Sequence, residues 1–359
     1  MMEGKKAHGG DVFGLASEER ERILDFSINI NPLGMSPKGK TAALAQFERE
    51  IMRYPDVECR EMKAALRQRY GIPEEMILCG NGATELMYVA VRMLRPSAVY
   101  AAAPSFSEYQ FAAEAVSVPV HTFRLDRNRD FQPEDDSFLD EMPEHSMIFL
   151  GNPNNPDGQL LRWETFHKFA EAAARKNGWL IIDESFIDFV GDEASFRNEI
   201  FKNPNLMVIL SLTKFYAVPG LRIGAAFMRS DLAQRLQSGL YPWNVNGLVQ
   251  VYMKEAVLDE AYAANSRKYL REERSRMDEM LRRIPGLRVY DGRVNFFLLQ
   301  LTGRIDDAAR LEEALLPYHI HIRQCGNFEG LDHSFFRAAV RRKEENDRLM
   351  KALNEVLRA

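Results

Sequence analysis

Short apolar runs that each end in a polar side chain are the feature that most constrains the fold of this chain. Residues 206–210 have the length and β-branched content of a buried strand, and Lys214 lies just beyond them. Residues 179–182 form a second such run, which ends at Asp183, and residues 146–150 form a third. Strands that alternate with helices in this way build an open α/β sheet, which binds ligands at the carboxyl ends of its strands. We therefore expect an α/β fold with its site at that edge.

The side chains around Lys214 have the chemistry of a site for a phosphorylated aldehyde. Ser211, Thr213 and Arg222 offer two hydroxyls and a guanidinium, which suit a phosphate. A neighbouring cation also lowers the pKa of an amine, as a Schiff-base lysine requires. A carboxylate such as Asp183 keeps a pyridine nitrogen protonated. Although an isolated S-x-T-K sequence is usually an ordinary surface segment, this combination indicates pyridoxal 5'-phosphate, with Lys214 and Asp183 as catalytic residues.

Two further segments are expected to contact the ring of this cofactor. Residues 151–158 follow a strand and offer Asn155 as a donor to the ring oxygen. A helix that begins near residue 105 carries Phe106, our candidate to stack on the ring, with Tyr109 behind it. An aromatic side chain at the start of a helix can equally be part of the core, so the stacking role is a hypothesis.

A glycine-containing turn before a helix is the expected second contact to the cofactor phosphate. Backbone amides gather at such a helix N-terminus and bind anions. An ordinary N-cap by the threonine is the alternative interpretation. The residues of this turn are Gly82, Ala83 and Thr84.

Composition limits the partners of the chain. Its 359 residues carry a formal net charge of −5 without a long basic run, so we expect no nucleic acid partner. No apolar run approaches the ~20 residues that cross a bilayer, and the first residues lack the apolar core of a signal peptide. We expect a cytoplasmic protein without a membrane partner. The scattered Cys59, Cys79 and Cys325 predict neither a disulfide framework nor a metal site.

Length and an apolar content of 46% predict two hydrophobic cores. We expect an N-terminal arm and part of a small domain at residues 1–45. A large cofactor-binding domain should follow at 46–265 and a small C-terminal domain at 266–359. The segments 41–53 and 248–283 are each predicted to be one helical region, and the second should connect the two domains.

Four motifs in order resemble those of the fold type I pyridoxal-phosphate enzymes. They are N-x-x-N-P-x-G from Asn152, D-E from Asp183, S-x-T-K from Ser211 and G-L-R-x-G from Gly220. The likeness covers essentially the whole chain and implies a large α/β/α sandwich domain with a mostly parallel sheet, plus a smaller α+β domain. It also implies a homodimer with a shared active site, in which Tyr54 reaches the cofactor phosphate of the neighbouring subunit.

Within this superfamily the chain is similar to the histidinol-phosphate aminotransferases and to the threonine-phosphate decarboxylases of cobalamin biosynthesis. His8-Gly9-Gly10 and residues 183–189 resemble the decarboxylases. At Phe186 most aminotransferases of the group carry a tyrosine that donates to the cofactor ring oxygen. The likeness implies decarboxylation of L-threonine O-3-phosphate to (R)-1-amino-2-propanol O-2-phosphate and CO2. Histidinol-phosphate aminotransferase or a related class I/II aminotransferase is the alternative. Asp157 stands where both families usually have threonine, and we expect little chemical consequence.

A substrate that carries a phosphate and a carboxylate needs two anion sites of its own. Arg323 and Arg337 are candidates, because a buried arginine is costly unless an anion meets it, although a structural salt bridge is an equal alternative for either one. The resemblance implies that Arg337 binds the substrate carboxylate and that Arg323 contacts chiefly the phosphate. It implies further substrate contacts from His8, Gly9, Asn31 and Asn155.

A non-catalytic pyridoxal-phosphate-binding regulator is a remote alternative of a different class. Such proteins fuse this fold to a DNA-binding segment with a basic face. Here the fold is expected to begin by about residue 25 and the net charge is negative, so we favour an enzyme.

Overall fold

An eight-stranded sheet forms the centre of this computed structural model, in which residues 9–10 and 17–358 are described. Its strands are β2 (Ile77–Gly80), β3 (Val99–Ala103), β4 (Val120–Asp126), β5 (Gln132–Pro133), β6 (Met147–Gly151), β7 (Trp179–Asp183), β8 (Leu206–Ser211) and β9 (Gly224–Phe227). They are ordered β2-β9-β8-β7-β6-β3-β4-β5, and β3, β4, β6, β7 and β8 are parallel. The strand β9 is antiparallel to both of its neighbours. The predicted α/β class is confirmed.

Helices cover both faces of this sheet, so its central strands are apolar on both sides. Every residue of β8 is buried, and Leu180, Ile181 and Ile182 of β7 are at most 1% exposed. Within the described residues, no helix is both long and apolar enough to cross a membrane. The helices that accompany this sheet are α2 (Pro37–Ala45), α3 (Phe47–Ile51), α4 (Arg60–Tyr70), α5 (Ala83–Leu94), α6 (Glu108–Glu114), α7 (Phe138–Glu141), α8 (Trp163–Arg175), α9 (Leu212–Phe215), α10 (Ser230–Gln237) and α11 (Gly247–Ala256).

A second, four-stranded antiparallel sheet is built by the C-terminal part of the chain. Its order is β10-β11-β14-β13, and a separate short pair joins β1 to β12 in parallel. The described N-terminal segment therefore packs with the C-terminal unit. The elements are β1 (Leu24–Asp25), β10 (Leu287–Val289), β11 (Phe296–Leu301), β12 (Ile320–His321), β13 (Arg323–Gln324) and β14 (Phe335–Ala339), with α1 (Ser17–Arg22), α12 (Glu260–Leu281), α13 (Ala308–Leu315) and α14 (Lys343–Arg358).

Two segments differ from the sequence expectation. Residues 248–283 form two helices instead of one region, because Asp259 caps a new helix by accepting a hydrogen bond from the Tyr262 amide. Residues 41–53 also divide into two helices, α2 and α3. The helix α12 continues unbroken through residue 265, so the predicted domain boundary falls inside a helix. The three-part division of the chain otherwise stays a prediction.

Candidate active site

A cavity of about 660 Å³ lies at the carboxyl ends of the central parallel strands. Residues from both sheets and from the segment before α2 line it, because β6, β7 and β8 end side by side and β13 and β14 face them. Of the residues predicted from sequence, this cavity brings together Gly9, Ala83, Thr84, Phe106, Tyr109, Asn155, Asp183, Ser211, Thr213, Lys214, Arg222, Arg323 and Arg337.

Lys214 presents an amine with a lowered pKa to this cavity. It lies in the short helix α9 directly after β8, and its Nζ is 4.9 Å from the centre of the Phe186 ring. Burial lowers the pKa of Lys214 to about 8; Asp183 opposes this shift, while Arg222 and Arg337 add to it. A substantial fraction of the amine is therefore neutral near pH 8, which suits attack on an aldehyde.

One end of the cavity has the shape and chemistry of a phosphate cradle. The hydroxyls of Ser211 and Thr213 are 2.8 Å apart, and the first turn of α5 begins beside them at Ala83. Gly82 has a φ of +85°, and a Cβ at that position would be only 2.4 Å from Nη2 of Arg222. The absence of a side chain at Gly82 therefore lets the guanidinium approach the helix N-terminus. These groups fit the phosphate of pyridoxal phosphate.

The opposite end of the predicted cofactor site is organised around Asp183. Its Oδ1 accepts hydrogen bonds from the Ser185 amide at 3.0 Å and the Ser185 hydroxyl at 2.5 Å. Its Oδ2 accepts one from the Tyr109 hydroxyl at 2.8 Å. Tyr109 thus contacts this carboxylate directly instead of lying behind Phe106, whose ring meets it edge-on at 5.8 Å. The fixed carboxylate suits a protonated ring nitrogen.

Arg337 is a buried cation aimed into the cavity from β14. Its guanidinium donates to Oδ1 of Asn155 and to the Ser27 carbonyl at 3.1 Å, and it lies 3.2 Å from the amide oxygen of Asn29. Within residues 9–10 and 17–358 it forms no salt bridge, which disfavours the structural-ion-pair alternative. Burial lowers its pKa to about 10; Cys325 opposes and a nearby arginine supports this shift. An anion in the cavity would therefore meet a fixed, poorly solvated cation.

Arg323 lies directly across from Arg337, since the two residues are paired in the register of β13 and β14. It is 6% exposed and donates to Oδ1 of Asn327 at 2.9 Å and to the Gln324 carbonyl. Burial lowers its pKa, and Glu312 is among the groups that oppose the shift. The antiparallel pairing brings two guanidiniums to one wall of the cavity.

The N-terminal substrate contacts are only partly brought together. Gly9 lines the cavity, where a Cβ would be 2.4 Å from the Ser27 carbonyl oxygen. His8 lies outside the described residues. Asn31 does not line the cavity, because its amide nitrogen already donates to the Phe215 carbonyl, Tyr262 and Ser266. In the described residues Asn31 supports the site through these hydrogen bonds, and its contact with substrate stays a prediction.

Tyr54 is also outside the cavity of its own chain. Its side chain is 80% exposed and its ring centroid is 4.6 Å from that of Trp243. The predicted contact to a neighbouring subunit stays a prediction.

Several lining residues were missed by sequence reasoning. Asn29 and Ser27 belong to the same alternating stretch as Asn31, but alternation alone does not tell which member reaches the cavity. Ser185 follows the D-E motif. A serine two residues after an aspartate commonly donates hydrogen bonds back to its carboxylate, so this contact could have been recognised from the sequence.

The sequence profile described as "Aminotransferase class I and II" matches residues 21–353. The chain belongs to the class I and II aminotransferase family. Enzymes of this family use pyridoxal phosphate, so the predicted cofactor is confirmed. The individual site residues remain predictions that the geometry supports.

Members of the class I and II aminotransferase family resemble the chain over nearly its full length. The threonine-phosphate decarboxylase of Salmonella typhimurium is 36% identical over 356 residues, which are 98% of this chain and 96% of that protein. The crystal structure of histidinol-phosphate aminotransferase from Clostridium acetobutylicum has 31% identity, covers 94% of this chain and 99% of its own, and gives a TM-score of 0.85. The crystal structure of L-threonine-O-3-phosphate decarboxylase from Porphyromonas gingivalis has 27% identity, covers 93% of this chain and 99% of its own, and gives a TM-score of 0.82. The predicted likeness to threonine-phosphate decarboxylases is confirmed.

Proposed function

We propose that this chain is a pyridoxal-phosphate-dependent decarboxylase that converts L-threonine O-3-phosphate to (R)-1-amino-2-propanol O-2-phosphate and CO2, as a step of cobalamin biosynthesis in the cytoplasm. The observation that supports it most is the pairing of Arg323 and Arg337 at one wall of the cavity that contains Lys214. Two buried guanidiniums suit a substrate with a carboxylate and a phosphate. The relative from Salmonella typhimurium bears the name of this activity.

The residues of the cavity have separate roles in this proposal. Bound pyridoxal phosphate supplies an electron sink for the pair that remains when the carboxylate leaves. Ser211, Thr213 and Arg222 would hold its phosphate, and Asp183 its ring nitrogen. The amine of Lys214 would bind its aldehyde and, once displaced by substrate, stands at the cavity wall where it can deliver a proton to the substrate Cα.

Arg337 decides which substrate bond reacts. Cofactors of this kind labilise the bond that stands perpendicular to the ring, so a protein that fixes the carboxylate also fixes the outcome. The guanidinium is held by Ser27, Asn29 and Asn155, and its position is therefore determined before substrate arrives. Arg323, on the neighbouring strand, would bind the phosphate and complete the orientation.

A substrate screen on purified holoenzyme tests this proposal. We expect L-threonine O-3-phosphate to release CO2 without any 2-oxo acid, because the reaction transfers no amino group. Unphosphorylated L-threonine serves as the matched control, and its kcat/KM should be lower by about a thousandfold or more because the phosphate site stays empty. CO2 is measured by a coupled carboxylase assay and the amine product by mass spectrometry.

Histidinol-phosphate aminotransferase is the alternative function, and the likeness to the Clostridium acetobutylicum structure favours it. Its signature would be turnover of histidinol phosphate that depends strictly on 2-oxoglutarate, without release of CO2. Against it stands the buried Phe186 ring, which offers no hydroxyl 4.9 Å from the Lys214 amine. Turnover of histidinol phosphate with no reaction of threonine phosphate would replace the decarboxylase proposal.

We further propose a homodimer in which Tyr54 completes the site of the partner. Large apolar side chains are exposed on the α2–α3 region that precedes Tyr54 in the chain, and the Trp243 ring contacts the Tyr54 ring at an angle of 30°. Several large apolar side chains exposed within one short stretch are typical of a protein–protein interface. The exposed members are Leu44 at 66%, Phe47 at 47%, Ile51 at 62%, Met52 at 85% and Trp243 at 48%.

Complementation between two inactive variants tests the shared site. Tyr54→Ala and Lys214→Ala should each be nearly inactive, whereas a mixture refolded together should regain about a quarter of wild-type activity, since half of its dimers contain one intact site. Tyr241→Ala, which removes another exposed tyrosine (71%), is the control that should stay active. A mixture that stays inactive while forming mixed dimers by native mass spectrometry would remove Tyr54 from the partner site.

A further inference from the structure

Asp157 is a buried carboxylate behind the cavity wall, although its sequence position suggested an ordinary turn residue. It is 1% exposed. Its Oδ1 accepts a 2.9 Å hydrogen bond from the Gln159 amide, and its Oδ2 accepts one from Nδ2 of Asn154. Both carboxyl oxygens therefore serve as acceptors, which is the arrangement of an ionised carboxylate. Within the described parts of the chain, no lysine, arginine or histidine forms a salt bridge with it.

Asn154 links this carboxylate to two walls of the site. Its Nδ2 also donates to the Pro104 carbonyl at 3.0 Å, just before the aromatic wall that begins at Phe106. The next residue, Asn155, accepts a hydrogen bond from the guanidinium of Arg337. The Asn154 amide thus connects Asp157 to the stacking wall, and the residue that follows it in the same loop contacts the proposed carboxylate site.

Hydrogen bonds within the loop of residues 154–159 fix the conformation of Asn154. Its backbone amide donates to the Gln159 carbonyl at 2.9 Å, and its carbonyl accepts from the Gly158 amide at 2.8 Å. Its Oδ1 is buried without a hydrogen-bond partner. Because that oxygen is unsatisfied, the contacts made by Nδ2 are what hold the side chain in its present orientation.

The charged and titratable groups around Asp157 do not neutralise it. Tyr109 lies near enough for the negative charge of Asp157 to contribute to its raised pKa. Arg274, in α12, donates to the Gly292 carbonyl in the loop packed against Asp157, and Arg337 reaches it only through Asn155. Burial raises the pKa of Asp157 to about 7, although the hydrogen bonds from Gln159 and Asn154 oppose the shift.

We propose that ionised Asp157 is a positioning residue that sets substrate affinity by holding the Asn154 amide and, through it, the Asn155–Arg337 contact. Protonation places a hydrogen on one carboxyl oxygen, so one of its two accepted hydrogen bonds weakens or breaks. These two bonds, together with the bond from the Asn154 backbone amide to the Gln159 carbonyl, close the loop of residues 154–159. When one of them weakens, the loop that carries Asn155 is held less tightly and the carboxylate site loses its fixed geometry. The affinity of the site for substrate therefore falls as the pH decreases through the range in which Asp157 titrates.

Asp157→Asn is the kinetic test, and this arm rests on the proposed decarboxylase activity. The amide has one acceptor oxygen and presents an N–H group to Nδ2 of Asn154 or to the Gln159 amide, which mimics the protonated acid. At about pH 8 we expect KM for threonine phosphate to rise by about tenfold with kcat changed by less than about threefold. At about pH 6 the two enzymes should converge to within about twofold, because wild-type Asp157 is then protonated.

Asp188→Asn is the matched control. Asp188 is also a buried carboxylate, whose two oxygens each accept at 3.2 Å from the Tyr70 hydroxyl, but among the described residues it forms no hydrogen bond with Asn154. This change should lower stability without altering how KM depends on pH. A wild-type to Asp157→Asn ratio of KM that is constant across the pH range, or equal to one at about pH 8, would overturn the positioning role.

Carbon-13 NMR of protein labelled at the aspartate carboxyl carbons is independent of the reaction. We expect one resonance of the unliganded protein to titrate near pH 7, to be absent from Asp157→Asn and to remain in Asp188→Asn. If the Asp157 resonance titrates near the usual aspartate value, the proposal fails even when the enzyme is a decarboxylase. If that resonance titrates as expected and threonine phosphate is not consumed, the proposed function fails instead.

Discussion

Replacement of Lys214 by alanine should lower kcat by at least about a thousandfold while leaving the fold intact. The amine is the group expected to bind the cofactor aldehyde. Its pKa of about 8 leaves much of it neutral in an assay at about pH 8. Alanine cannot form the covalent bond, so the visible absorbance of bound cofactor should disappear as well. Absorbance spectra, kcat and far-ultraviolet circular dichroism measure these three outcomes.

Lys214→Arg separates the charge from the covalent chemistry. Arginine retains a cation near Asp183 but does not form an imine, and it should be as inactive as alanine. Borohydride reduction provides a second check, because it should attach the cofactor irreversibly to the wild-type chain and to neither variant. A variant that keeps both the chromophore and full turnover would show that another amine carries the cofactor.

Replacement of Arg337 by alanine should lower kcat/KM on the order of a hundredfold to ten-thousandfold. This corresponds to a loss of about 3 to 5 kcal/mol of transition-state stabilisation. The substrate carboxylate would then enter a buried site without its cation. Cofactor content should change little, since the guanidinium of Arg337 contacts Ser27, Asn29 and Asn155 and not the residues of the proposed phosphate cradle. Steady-state kinetics and the ratio of cofactor to protein measure the two effects.

Arg341→Ala is the matched control for this substitution. Arg341 follows β14 by two residues. Like Arg337, which lies 5.0 Å from the centre of the Phe296 ring, it lies over an aromatic ring, that of Phe26 at 5.6 Å, but it pairs with Glu345 and does not line the cavity. Its loss should affect stability more than kcat/KM. Arg337→Lys should recover only part of the activity, because an ammonium group does not reproduce the planar fork of a guanidinium. An Arg337→Ala enzyme with unchanged kcat/KM would exclude the carboxylate role.

The residues at strand ends could be predicted because the chemistry and the topology agree. Asp183, Ser211 and Lys214 follow apolar runs that can only be buried strands, and parallel strands bring their carboxyl ends together. Arg323 and Arg337 were recognised for a similar reason, since a cation within an apolar strand needs an anion. Their direct opposition across two strands depends on register, which a single sequence does not specify.

Other parts of the site depend on contacts that are remote in sequence. Asn31 was expected in the cavity, but Tyr262 and Ser266, more than 200 residues away, accept its amide hydrogens. Asn29 reaches the cavity instead. The burial of Asp157 was likewise missed, because the sequence Asp-Gly is typical of a surface turn and a single sequence does not show that this loop is buried.

The register that sets Arg323 opposite Arg337 has a consequence for how substrates are sorted. Backbone hydrogen bonds hold the Cα atoms of the two residues at a fixed spacing, and hydrogen bonds to Ser27 and Asn327 restrict the two guanidiniums, so moving the cations apart for a longer molecule would break these contacts. The distance between the two guanidiniums then selects ligands by the number of bonds between their two anionic groups. Inserting one methylene between carboxylate and phosphate, as in O-phosphohomoserine, would leave one of the two ends out of reach.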